Sequence, residues 1–176
     1  MLPVLEMESY NPVLDDKDNH SNCQTIAQAL QLNSNDISVY TCHVERPTGV
    51  EGSHGISAVF LEKLLMAGAP MKSSLELLNA FICGGEGECF TTVDLMESDL
   101  YTGKTSFIKS GAAPSFVLRG GKVFRLHSKT VPIGIIRALD AEKITFDTID
   151  GDMIVMLSDG VTGSYEACPW LYELLE

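Results

Sequence analysis

SFVLRGGKVFRL, residues 115–126, is the stretch on which the fold turns. Two short runs rich in Val, Leu and Phe, Ser115 to Arg119 and Lys122 to Leu126, flank Gly120-Gly121. A two-residue loop of glycines accepts the positive φ that a tight hairpin turn demands, so the segment predicts an antiparallel hairpin. The same grammar extends on either side. Cys89 to Glu97 and Lys104 to Lys109 read as strands joined through the turn Asp99-Leu100-Tyr101-Thr102-Gly103. Ile144 to Ile149 reads as another strand, and Gly151-Asp152 turns into Met153 to Leu157, an uninterrupted apolar run expected of a buried strand. A short amphipathic tail, Pro169 to Leu175, follows.

Before Gly84-Gly85-Glu86-Gly87 the period is helical. Ile56, Val59, Phe60 and Leu64 recur at helical spacing between His54 and Met66, Leu61 and Leu65 widen the stripe, and Gly68 supplies a stop. Ser73, three residues before Glu76, has the spacing of a capping box and predicts the start of a second helix through Leu75, Leu78 and Ile82. The glycines after it read as a helix-to-strand connection. They do not form a phosphate-cradling loop, because they follow a helix instead of opening one. Residues 1–52 are polar and weakly periodic, with a loop at Asp15 to Asn22, a helix expected at Cys23 to Leu32 and a strand at Ile37 to Val44. The division expected is a poorly defined segment, 1–52, and a folded unit, 53–176.

Acidic residues outnumber Lys and Arg by 24 to 12, giving a net charge of -12. That field repels phosphate backbones and anionic lipid heads, which argues against nucleic-acid and membrane-surface partners. The five cysteines, Cys23, Cys42, Cys83, Cys89 and Cys168, lack zinc-binding spacing and read as reduced thiols of a cytoplasmic protein. The first residues, MLPVLEMESYNPVL, carry acids where a signal peptide needs bases, and no run is long enough to span a bilayer.

One residue stands out chemically. Ser158-Asp159-Gly160 places a carboxylate at the end of the apolar run Met153 to Leu157, where a rigid strand would deliver it as a metal ligand. The plainer reading is that Asp-Gly ends the strand by turn chemistry. Asp16, Asp18 and His20 imitate the opening of a calcium loop, but Ser21 stands at the glycine position and Ala27 at the closing glutamate, which rules out an EF-hand. Cys42 and His43 are neighbours on a predicted strand, where adjacent side chains point to opposite faces and do not easily share a proton, so the cysteine reads as buried and inert and not as a thiol with its base. Lys104, Lys109, Arg119, Lys122, Arg125 and Lys129 concentrate basic charge in an otherwise acidic chain, as solvated strand faces or as a contact for a phosphoprotein.

Four strings bear on family: Asp94 to Gly103, Phe107 to Phe116, Val131-Pro132-Ile133-Gly134-Ile135, and Gly151-Asp152 through Asp159-Gly160-Val161. In this order and spacing, over residues 54 to 175, they resemble the phosphatase domain of stage II sporulation protein E, in the metal-dependent, phosphatase 2C-like protein phosphatase family. The resemblance implies an α+β fold, an antiparallel β-sandwich with flanking helices, incomplete here at its N- and C-terminal parts. It implies a phosphoserine or phosphothreonine protein substrate and a binuclear manganese or magnesium site with Asp159 as a metal ligand. Two dications ~4 Å apart repel by about 17 kcal/mol at an effective dielectric of about 20, so such a site needs several carboxylates.

The other ligand motifs of that family are not matched. The position of its Asp-Gly-Met-Gly loop falls near Cys42-His43-Val44-Glu45, its early Gly-Asp has no counterpart, and the sequence ends at Glu176, ahead of the strand expected to carry its last aspartate. Two readings stand side by side: a metal-dependent protein serine/threonine phosphatase, and a degenerate domain, a pseudophosphatase, that binds a regulatory phosphoprotein. A third treats the chain as a fragment, whose unpaired sheet edge would drive homodimerisation or aggregation.

Overall fold

The structure, a computed structural model, describes residues 24–33, 36–45, 54–85, 90–157 and 173–175, the first two stretches through their backbone pairing. Strands β1 (Gln24–Asn33) and β2 (Asp36–Glu45) form an antiparallel pair, with Gln24 opposite Val44 and Asn33 opposite Asp36. The helix expected at Cys23 to Leu32 is therefore corrected to a strand. Its Ala, Gln and Leu residues favour a helix locally, but only two residues separate it from β2, and pairing along the full length overrides that weak preference. The strand expected at Ile37 to Val44 is present, one residue longer at each end.

Helix α1 (His54–Met66) has the predicted bounds, and Gly68, at a φ of 80°, ends it in the left-handed conformation. Its buried stripe differs from the expected one. Leu61 and Leu65 are sunk in the core, whereas Val59 is 49% exposed, because the face that packs is the one turned towards the second helix and the sheet. Helix α2 (Met71–Cys83) opens two residues before Ser73, and the capping box does not form. Pro70 sets the entry with φ -59° and ψ 143°, and the Ser74 hydroxyl donates to the Pro70 carbonyl at 3.1 Å. Leu75, Leu78 and Ile82 are buried as the periodicity requires. Phe60 and Phe81 stack between the helices with ring centroids 5.2 Å apart.

Strands β3 (Thr92–Asp99), β4 (Lys104–Ser110), β5 (Ser115–Arg119), β6 (Lys122–Leu126), β7 (Lys143–Asp147) and β8 (Met153–Val155) complete the described elements. They form two antiparallel sheets, one ordered β1-β2-β3-β4-β7 and the other β6-β5-β8. The hairpin β5–β6 has the predicted bounds, and both turn glycines take positive φ, 54° and 72°.

Alternation along the strands decides what lies on each side. Val93, Leu95 and Ile108 face the helices and join Leu61, Leu65, Met71, Leu75, Leu78, Ile82 and Ile133 in the main core. Each such side chain, fully buried, contributes about 1.5–3 kcal/mol. Asp94 and Lys109, one residue out of phase, lie on the opposite face, where Ser115 of β5 meets them. Phe116 points away from the first sheet and packs with Leu118, Val123, Val155, Leu157 and Leu175, the last from the helical turn Glu173–Leu175. The run Met153 to Leu157 is not the fully buried strand its composition suggests. Among the described strands β8 is an edge of the three-stranded sheet, and Met153 is 58% exposed.

Candidate functional site

The polar centre of the described structure is built from three strands. The register of β3 and β4 sets Asp94 opposite Lys109, and β5 brings in Ser115 from the other sheet. The Lys109 ammonium donates to Asp94 Oδ2 and, at 2.8 Å, to Ser115 Oγ, and the Ser115 hydroxyl in turn donates to Asp94 Oδ2. All three residues are fully buried. Asp94 Oδ1 is buried too and has no hydrogen-bond partner among the described residues.

This arrangement corrects the reading of Lys109 as a solvated strand residue; Lys104, Lys122, Arg125 and Lys129 are exposed as expected. A serine beside a lysine resembles a nucleophile with its base. Activation, however, requires a neutral amine and an approach for substrate, and here the ammonium is held against a carboxylate out of reach of water. The cluster instead acts as an electrostatic tie between the two sheets. Removing one partner would strand a buried charge, which costs far more than the intact pair contributes.

A second ion pair fixes the approach to β8. The Arg119 Nε donates to Asp152 Oδ1 at 2.8 Å, its Nη2 reaches the Asp147 carbonyl at 2.7 Å, and the Ile149 N–H donates to Asp152 Oδ2 at 3.0 Å. The hydrogen bond from Arg119, joined by the Ile149 N–H and the guanidinium charge, holds the Asp152 carboxyl below its ordinary value of 3.8. Gly151-Asp152, read in the sequence as a turn, is therefore a turn locked by a guanidinium. Because β8 is antiparallel to β5, it runs from the Arg119 end of that strand towards the Ser115 end, where the buried cluster lies.

Asp159 lies outside the described residues, which stop at Leu157 on this side. Among the described residues no three His, Cys, Asp or Glu side chains come together to hold a metal ion, and Asp94 is already engaged by Lys109. The described residues alone therefore do not fit a two-metal centre. Cys42-His43-Val44-Glu45 lies at the end of β2, with His43 in register with Asp94 and Glu45 with Thr92. Cys83 is a free thiol; Cys23, Cys89 and Cys168, like Asp16, Asp18 and His20, fall outside the described residues.

A family profile for stage II sporulation protein E matches residues 54–175. The chain belongs to that family. Stage II sporulation protein E of Bacillus subtilis is 34% identical over 102 residues, 57% of this chain and 12% of that protein. The protein of the same description from Priestia megaterium is 30% identical over 102 residues, 57% of this chain and 17% of that protein. The matched stretch thus covers less than a fifth of the length of these relatives. A solved structure of the PP2C phosphatase domain of SpoIIE from Bacillus subtilis, with a fragment of its regulatory domain, superimposes with a TM-score of 0.71 at 22% identity, covering 87% of this chain and 50% of that one. The sandwich of antiparallel sheets with flanking helices is the PP2C fold. The SpoIIE match begins at His54 and takes in the helix pair, the Asp94–Lys109–Ser115 cluster and the Arg119–Asp152 turn.

Sequence reasoning missed the buried cluster as a site. Asp94 sits between Val93 and Leu95 and Lys109 between Ile108 and Ser110, which is also how solvent-facing residues read. The available signal was that both lie inside the strings shared with the family.

Proposed function

We propose that this chain is a SpoIIE-type protein serine/threonine phosphatase domain that acts on a phosphoprotein in the cytoplasm, with manganese or magnesium as the cofactor. The observation that carries the reading is the family match over residues 54–175 on a PP2C fold. In this reading Asp159, four residues beyond the end of β8 in the sequence, is a metal ligand. The cofactor would supply an activated water for attack at phosphorus. The chain's own described residues do the positioning: Arg119 and Asp152 close the turn that starts β8, and Asp94, Lys109 and Ser115 fix the spacing between the sheets towards its far end. The net charge of -12 favours protein over nucleic acid as the partner.

A second reading, a binding module for a phosphoprotein regulator without hydrolysis, is favoured by Cys42-His43-Val44-Glu45 at the place of a family ligand motif and by the lack of a ligand cluster among the described residues. One comparison separates the two. Manganese titration by calorimetry, with phosphoprotein turnover, is run on the unmodified chain and on Asp159→Asn. Two metals bound and turnover lost in the variant support the phosphatase. Absence of both metal binding and turnover in the unmodified chain overturns it in favour of the binding module.

A further inference from the structure

Val131-Pro132-Ile133-Gly134-Ile135 is one of the strings that carry the family resemblance, and the phosphatase reading gives it no task. The structure shows it fastened at both ends. On one side the buried amide of Asn79, from α2, is used on both its edges. Its Oδ1 accepts from the Gly134 N–H at 2.8 Å, and its Nδ2 donates to the carbonyls of Ile136 at 2.9 Å and Arg137 at 3.1 Å. In the middle, Ile133 exchanges two backbone hydrogen bonds with Thr91, both 2.9 Å, and its side chain is fully buried in the main core.

On the other side the segment grips the end of β4. Thr130 Oγ1 donates to the Lys109 carbonyl at 2.6 Å, Ser110 Oγ donates to the Val131 carbonyl at 2.7 Å, and the Gly111 N–H donates to the Thr130 carbonyl at 3.1 Å. Gly111, at a φ of 64°, lies so close to Pro132 that a Cβ there would come within 2.5 Å of the proline ring. There is no slack at this junction. Lys109, held through its carbonyl by Thr130, holds Asp94 and Ser115 through its ammonium.

We infer that Asn79 is a positioning residue for the Asp94–Lys109–Ser115 cluster, acting through the segment Ser128–Arg137. An amide suits the place because one planar group supplies an acceptor for an N–H and donors for two carbonyls. An aspartate would keep the first contact and turn an oxygen towards both carbonyls. The coupling concerns the geometry of the inter-sheet tie, and it stands or falls independently of phosphoester hydrolysis.

Hydrogen exchange on the full chain tests it without any turnover assay. Asn79→Asp should speed amide exchange roughly tenfold or more both in residues 130–137 and, through the strap, in residues 109–115. Glu76→Gly, which weakens the same helix at an exposed position outside the main core, serves as the reference. Loss of protection confined to 130–137, or the same pattern in both variants, overturns the inference. Should Asn79→Asp fail to fold, Thr130→Val cuts the link at its other end. It should raise exchange in 109–115 while leaving 133–137 protected, and unchanged exchange in 109–115 overturns the coupling.

Discussion

β3 and β4 of the larger sheet carry charged residues among apolar ones, while β8 of the smaller sheet is wholly apolar and β6 mostly so, yet burial runs the other way. β3 and β4 are covered on both faces, by helices on one side and by β5 on the other, and their out-of-phase residues Asp94 and Lys109 are sealed inside. In β6 and β8 even apolar side chains face water, with Phe124 49% and Met153 58% exposed. Alternation in a sequence marks two faces. What covers the second face decides whether a charge on it is solvated or must be paired.

The largest expected effects break the covered side. Asp94→Ala or Lys109→Ala alone should lower unfolding stability by about 3–5 kcal/mol, since each leaves a buried charge unpaired. Asp94→Leu combined with Lys109→Met should recover most of that loss in urea unfolding. A double variant as unstable as the sum of the singles would show that the cluster does not act as a pair. Gly111→Ala comes next: a left-handed backbone and the approach of Pro132 put its cost at about 1–3 kcal/mol, read as a lowered urea midpoint. Phe124→Ala on the open sheet should cost less than about 1 kcal/mol. A cost equal to that of Gly111→Ala would mean the strand is covered in solution.

The smallest effect is pH-dependent. Asp152 and Asp99 both have carboxyl groups held below 3.8, Asp152 chiefly by the Arg119 hydrogen bond and Asp99 chiefly by the Thr102 side chain. A depressed folded-state value means stability that is fully present above the unfolded value and lost as pH falls below 3.8 through the folded one. Asp152→Asn should therefore flatten the acid limb of the stability profile in part, leaving the contribution of Asp99. An unchanged acid limb in urea titrations would remove Arg119 as the cause.

Much of this was legible in the chain. The hairpin around Gly120-Gly121 and helix α1 had the expected bounds, because glycine chemistry and helical spacing are local signals. β1 was misread because Ala, Gln and Leu speak for a helix until a partner strand two residues away outweighs them. The start of α2 was displaced because Pro70, and not Ser73, sets it. The cluster was hidden for a different reason. No window of sequence shows that residues 94, 109 and 115 meet, since that depends on β5 crossing to the other sheet. The Asn79 contacts join residues 55 to 58 positions apart and leave no periodic trace.

The order in which the chain visits its sheets has a kinetic consequence. After β4 it leaves for β5 and β6, returns to add β7 beside β4, and leaves again to add β8 beside β5. Each sheet receives its last strand only after the chain has run through strand segments of the other. Each return closes a long loop before its contacts repay the lost chain entropy, so the described sandwich should assemble slowly and late. Once formed it should open as one cooperative unit, without a stable half.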